Sequence, residues 1–454
     1  MTHTRSRALV GMARGRLRPG GLRGAVAGSI AAKAVEIATL VALATVVPRA
    51  LGPSDFGRFS VLLTIVTLGS LALTLGGPTL MARFVPAAPG PQRVGLARSI
   101  GARLARGRAA QLAAVAVVAA VLMLADAEHF PPGQTTVVFV ALALNVAASL
   151  ALQVALGLGR TGPWSTRFPL QNTVLITATL LLYPVAGIEG ATLAILLSAV
   201  AGAAFAAVVV RPLLTGPQPR VPVPPGAVRF GALQAGAAAL VQSAQRGGVL
   251  AVALLAGSSR QTGFAALAIG IVLGVTYAVL QTFTVALPHV AQDDAGQGRD
   301  GERTLRRLAE LIAALAVPAA LVLAPFLDVL VPACFGGQYR GATSAFGPAL
   351  AMVVLAPIGA LLVQASALRL RPDLALASSA VTAGVFVVVS LLAVPEFGAA
   401  GGTGAALAGC AAGAATATVL LRGAAGARLT ALSFLGAAGV FGIALLSGAA
   451  RCPP

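Results

Sequence analysis

Long apolar runs follow one another along this chain, separated by short polar or basic stretches. Runs of about 20 apolar residues predict helices that cross a bilayer, because a membrane supplies no partner for an unpaired backbone group. Thirteen such spans are expected, at about Gly28–Val47, Gly57–Ala82, Ala109–Ala125, Gln134–Leu158, Phe168–Ala186, Gly190–Val210, Phe230–Ala256, Gly263–Val290, Leu311–Val331, Ser344–Leu368, Leu374–Val394, Ala399–Leu421 and Thr430–Ala449. The polar stretches between them set the turns. In LGPSDFG, Leu51 to Gly57, Gly52-Pro53 stop one helix and Ser54 or Asp55 can cap the next. Two charged stretches are amphipathic: Arg83–Arg108 carries Leu96, Ile100 and Leu104 at helical spacing, and Gln292–Glu310 sets Arg303, Arg306 and Arg307 against Leu305 and Leu308. Both are expected to lie along the membrane surface.

The pattern repeats at an offset near 206. Gly57 matches Gly263, Glu36 matches Gln242, Phe168 matches Leu374, and the turn at Gly187–Ala191 has a counterpart at Glu396–Ala399. Six spans per repeat is an even number, so both halves begin on the same side of the membrane. The expected fold is therefore all-α and polytopic, with two six-helix bundles related by a pseudo-twofold axis along the membrane normal and one or two C-terminal helices after them. The divisions are a basic N-terminus at 1–27, an N-lobe at 28–211 with spans 1–6, a proline-rich linker at 212–228, a C-lobe at 229–421 with spans 7–12, and a C-terminal helix and tail at 422–454.

Composition agrees with this reading. Hydrophobic residues make up 57% of the 454 positions and charged residues 10%, which leaves no stretch for a soluble domain. The net charge of +19 comes from arginines strung between apolar runs, a membrane-orienting pattern that does not suggest nucleic acid. With the N-terminus inside, 25 arginines fall in cytoplasmic segments and five outside, which predicts a multi-pass plasma-membrane protein with a cytoplasmic N-terminus. Cys334, Cys410 and Cys452 show neither metal-ligand spacing nor a paired framework, and His3, His129 and His289 have no catalytic partner nearby. No metal or cofactor is expected.

Arg246 is the arginine assigned to the interior of a span. Such a charge is costly, about 2.5–3.5 kcal/mol on insertion scales, unless it faces protein or water. Gln234, Gln242 and Gln245 share its flank of span 7, and Gly247-Gly248 beside it are expected to let the helix bend. One reading makes Arg246 an anion anchor, since a guanidinium can grip phosphate oxygens with two parallel hydrogen bonds. The other makes it a buried cap on backbone carbonyls. In span 1, Ser29, Lys33 and Glu36 fall on one face. Lys33 and Glu36 read either as a cavity-facing pair for phosphate and proton or as a structural pair with Lys33 reaching the interface. Asn145, Ser149 and Gln153 stripe span 4, and Tyr277 and Gln281 stand one turn apart in span 8. These stripes, with Gln171, Asn172 and Gln364, suit either a sugar path or hydrogen bonding between helices.

LGPSDFG after span 1, GIEGATLA at Gly187–Ala194, GAAGGTGAALA at Gly398–Ala408 and the six-plus-six repeat resemble the Wzx-type polysaccharide flippases of the multidrug/oligosaccharidyl-lipid/polysaccharide exporter (MOP) superfamily. The resemblance implies a MATE-like fold whose two lobes enclose a cationic cavity. It implies passage of a polyprenyl-pyrophosphate-linked oligosaccharide across the bacterial inner membrane by alternating access, and a glycan polymerase or glycosyltransferase as partner. Arg246, Lys33, Glu36, Gln242, Gln245, Asn145, Gln153 and Gln281 are the cavity candidates. A multidrug or cation antiporter of the same superfamily is the alternative. A membrane enzyme of glycan assembly fits less well, because the outside loops are short and chemically sparse.

Overall fold

The computed structural model describes residues 19–74, 76–126, 130–214, 221–294, 300–369, 371–421 and 426–447. Among them every regular element is a helix: α1 (Pro19–Ala72), α2 (Gly77–Ala87), α3 (Arg93–Ala125), α4 (Pro132–Gly157), α5 (Thr161–Leu214), α6 (Ala227–Leu255), α7 (Ser259–Asp294), α8 (Asp300–Leu323), α9 (Leu327–Phe335), α10 (Thr343–Leu368), α11 (Pro372–Leu420) and α12 (Ala427–Leu446). The side chains of Lys33, Glu36, Tyr277, Gln281 and His289 lie outside the described residues, as do His3, His129 and Cys452.

Among the described residues, ten helical segments are long and apolar enough to cross a membrane. Three of the helices are too long for one crossing. A straight 54-residue helix would run about 80 Å, against a hydrocarbon core of about 30 Å. Each is broken once by a glycine with positive φ: α1 at Gly52 (φ 72°, ψ 169°), α5 at Gly187 (φ 56°, ψ −137°) and α11 at Gly398 (φ 51°, ψ −121°). Taking these three as two passes each gives thirteen passes among the described residues.

The breaks at Gly187 and Gly398 share one geometry, that of the first central residue of a type II′ turn, which glycine adopts without steric cost. Three residues later the hairpins also agree. A Cβ on Gly190 would lie 2.3 Å from the Leu182 carbonyl oxygen, and one on Gly401 would lie 2.3 Å from that of Ala393. The glycine pair therefore makes the turn and lets the two arms touch. This repetition, in α5 of the first bundle and α11 of the second, is the pseudo-twofold symmetry seen at the level of single residues.

Both lobes close on each other at this kinked end. Gly57 in α1 and Gly263 in α7 meet through their backbones, and Tyr339, between α9 and α10, donates its hydroxyl to the Pro48 carbonyl at 2.9 Å. Edge contacts from Phe56, Phe264 and Phe335 surround the Tyr339 ring at centroid distances of 6.5, 6.1 and 6.5 Å. Arg49 donates to the Ala333 carbonyl at 3.0 Å. At the opposite, arginine-rich end the contact passes through α2: Gly76 abuts the backbone of Gly231 in α6, and Phe84 meets Phe230 edge-on at 6.2 Å.

Two expectations change. The amphipathic stretch ahead of span 3 is not a separate surface helix, since Arg93–Ala125 is one helix of 33 residues. Its stripe of Leu96, Ile100 and Leu104 is buried against Leu80, Met81, Val85 and Val154. An apolar stripe cannot reveal whether lipid or protein will cover it, and here protein does. The lead into α8 behaves likewise, with Leu305 and Ala309 fully buried. Gly247-Gly248, expected as a bend, lie inside the continuous helix α6. They serve close approach instead: a Cβ on Gly247 would meet the Phe386 ring at 2.9 Å, and one on Gly248 would meet the Gly402 carbonyl at 3.0 Å. Small residues at helix crossings are what lipid-embedded packing favours.

Candidate functional site

Arg246, Arg167 and Arg108 sit inside apolar helices, and their surroundings differ. Arg246 lies nine residues before the end of α6 at Leu255, or about 14 Å from the kinked end and near the middle of a bilayer core. Ala244, Gly247 and Gly248 turn one face of α6 into buried packing. Arg246 and Gln242 project from the opposite face and are half-buried. The guanidinium Nε donates to Gln242 Oε1 at 3.2 Å, and Gln242 is its hydrogen-bond partner among the described residues. Gln245 lies half-buried beside them. This arrangement leaves the two terminal nitrogens of Arg246 able to take an anion.

Arg167 near the start of α5 is 5% exposed. Its Nε donates to Gln171 Oε1 at 2.9 Å and its Nη2 to Asn145 Oδ1 at 3.0 Å. Gln171 Nε2 also donates to Asn145 Oδ1 at 2.9 Å, and Ser198 Oγ donates to the Gln171 carbonyl at 2.9 Å, so α4 and both arms of α5 are tied together. Arg108 in α3 is 2% exposed and is the bulkiest of the fully buried side chains. It donates to the Thr74 carbonyl at 2.6 Å and to Gln153 Oε1 at 2.8 Å, while Gln153 Nε2 donates to Ser149 Oγ at 2.8 Å.

The polar stripe of α4 is thus divided between two buried arginines: Asn145 serves Arg167, and Ser149 and Gln153 serve Arg108. Neither arginine was separable from the cytoplasmic ones by sequence. The one local signal was Gln171 placed one helical turn after Arg167. Asn172 donates to Thr39 Oγ1 at 3.3 Å, joining α5 to α1, and Gln364 is buried in α10. No carboxylate shares the middle of a span with Arg246 among the described side chains. Asp55, Asp126, Glu189, Asp328 and Glu396 stand at the kinked end, and Glu302, Glu310 and Asp373 at or near the other. Nor do the described residues include a cluster of His, Cys, Asp or Glu able to hold a metal ion.

No protein-family model and no curated protein matches the chain. Solved structures do. The lipid II flippase MurJ in an inward closed conformation superposes with a TM-score of 0.66 at 9% identity, over 93% of this chain and 97% of that one. The fold is that of MurJ and the MATE transporters. An inward-facing MATE-family multidrug resistance transporter of the MOP superfamily gives 0.60 at 16% identity, over 89% and 98%. A MOP superfamily transporter from Pyrococcus furiosus, for which reverse polarity of the binding pocket suggests a different function, gives 0.56 at 15% identity, over 89% and 94%. Within this MATE-like fold Arg246 belongs to the first helix of the second lobe. The matching position in the first lobe's α1 falls four residues after Glu36, by the offset near 206 between the halves.

Proposed function

We propose that this chain is a flippase for a polyprenyl-pyrophosphate-linked oligosaccharide, working by alternating access between its two lobes. The observation that carries the reading is Arg246, a partly buried arginine near mid-membrane whose hydrogen-bond partner among the described residues is a neutral glutamine. A charge held so deep is best matched by an anion that arrives with its own charge, and pyrophosphate oxygens suit the two free guanidinium nitrogens. Gln242 and Gln245 would orient the headgroup, with Lys33, Glu36 and Gln281 as further contacts from the facing helices. Asn145 and Gln153, bound to the buried Arg167 and Arg108, would take no direct part in that contact. The lobes would divide at 28–211 and 229–421 around the linker. The arginine bias, 23 to five once the buried Arg108 and Arg167 are left out, would place the arginine-rich end in the bacterial cytoplasm. A glycan polymerase or glycosyltransferase would act on the same lipid-linked chain. The protein would move its substrate without changing it.

The likeness to MATE-family transporters keeps a cation antiporter as the second reading, with Glu36 as its carboxylate. The test is the leaflet distribution of polyprenyl-pyrophosphate-linked glycan in cells lacking the protein. Removal is expected to strand the glycan on the cytoplasmic leaflet. Wild-type protein should relieve this, Arg246→Lys only in part because an ammonium lacks the planar fork, and Arg246→Ala not at all. An unchanged distribution, or full relief by Arg246→Ala, overturns the reading. Efflux of cationic dyes by the same cells would then favour the antiporter.

A further inference from the structure

Arg108 takes no part in the site around Arg246, yet it is buried without a carboxylate partner among the described residues. Its location explains what it does. Between Ala72 and Gly77 the helix that began at Pro19 stops, and α2 starts anew with Pro78 in its first turn. In an unbroken helix the Thr74 carbonyl would accept from residue 78, but proline has no N–H to give. Thr74 instead accepts from Gly77 at 3.0 Å and from Arg108 Nη2 at 2.6 Å. A guanidinium at the C-terminal end of a helix also meets the negative end of its dipole. Arg108 Nη1 reaches the Val146 carbonyl at 3.4 Å, which anchors the same group to α4.

This joint is tightly enclosed on both sides. A Cβ on Gly77 would lie 2.1 Å from Gln153 Oε1 and 2.7 Å from Arg108 Nη2, so glycine is what lets the Arg108–Gln153 pair reach the backbone. On the other side Gly76, at φ 69°, is pressed against the Gly231 backbone of the second lobe, where a Cβ would lie 2.0 Å from the carbonyl oxygen. From there α2 runs along α6, with Leu80 over Gly231 and Phe84 against Phe230. The segment that the joint positions is therefore a lobe-to-lobe contact at the arginine-rich end.

We infer that Arg108, steadied by Gln153, is a positioning residue that locks the α1–α2 joint and so holds the arginine-rich end shut. Opening that end requires α2 to leave α6, and the joint that Arg108 pins is where α2 meets α1. Three neutral acceptors hold the guanidinium where a carboxylate would hold it harder. That suits a lock that must release during a cycle. The use of the lock rests on the alternating-access reading, but its existence does not.

The test is a spin-label distance measurement on the full chain in lipid nanodiscs, with Cys334, Cys410 and Cys452 replaced by serine. One pair of labels, at Pro86→Cys in α2 and Arg371→Cys in the second lobe, reports the arginine-rich end. A second pair, at Glu189→Cys and Glu396→Cys, reports the kinked end. Arg108→Ala and Gln153→Leu are expected to raise the long-distance fraction of the first pair at least threefold and leave the second pair unchanged. Gln153→Glu, which gives Arg108 a charged partner, is expected to lower that fraction below wild type. A folded Arg108→Ala or Gln153→Leu protein with the wild-type distribution overturns the inference. So does an equal change at both ends, which would mean general loosening. If Arg108→Ala does not fold, the two Gln153 variants decide, and equal distributions in both overturn it. No substrate is added, so a chain that flips no lipid-linked glycan still shows the shift if the lock is real.

Discussion

Gly57 and Gly263 occupy matching positions in the two repeats and touch each other across the lobe interface. A Cβ on Gly57 would lie 1.9 Å from the Ser259 carbonyl oxygen, and a Cβ on Gly263 would lie 1.9 Å from that of Pro53. Each glycine thus admits the backbone that precedes its own counterpart, as a twofold relation requires. A methyl group there must push backbone from backbone. Gly57→Ala and Gly263→Ala should each cost about 1–3 kcal/mol, read as a lower unfolding temperature in detergent. Gly270→Ala, in the same helix as Gly263 and with no atom within 4 Å of the added carbon, should be neutral or slightly stabilising. Equal temperatures for Gly263→Ala and Gly270→Ala would show that the contact carries no strain.

Tyr339 fastens the same end by a different means. Its ring is fully buried among Phe56, Phe264 and Phe335, and its hydroxyl reaches the Pro48 carbonyl of the other lobe. Tyr339→Phe keeps the ring contacts and removes one hydrogen bond, at a cost of about 0.5–1.5 kcal/mol. Tyr339→Ala also empties the aromatic cluster and should cost about 3–5 kcal/mol. Thermal unfolding of the two variants separates the parts, and a Phe variant as unstable as the Ala variant would place the whole effect in the hydroxyl.

The Arg167 network should behave as a unit. Arg167→Met leaves the Asn145 and Gln171 oxygens without their charged donor, and Asn145→Leu leaves Arg167 short of an acceptor. In a double-mutant cycle on unfolding free energy the two should couple by about 0.5–3 kcal/mol, the double variant being less damaged than the sum. Additive effects would mean that the bonds from Arg167 to Asn145 contribute nothing to stability.

Much of this architecture could be read from the chain because a bilayer restricts what a segment can be. An apolar run of about 20 residues has to cross as a helix, and Gly187 and Gly398 stand where two such runs join with nothing between them. The repeat could be read for the same reason, since matching turns recur at matching intervals. The candidate site was proposed from the sequence at Arg246, where a charge interrupts an apolar run. It was not legible at Arg108 and Arg167, because an arginine at the edge of such a run has the same appearance whether it faces water or is buried.

Sequence alone determined the helices, their breaks and the twofold plan, all of which depend on neighbours along the chain or on the solvent around it. Tertiary structure decided the rest. It covered the Leu96, Ile100 and Leu104 stripe with α2 and α4 instead of lipid, made Gly247-Gly248 a crossing point instead of a bend, and gave Asn145 and Gln153 to two buried arginines. Each outcome turns on which partner arrives from another helix. An unpaired proton or an uncovered methyl group has a strict requirement but no preference for where its partner lies in the sequence.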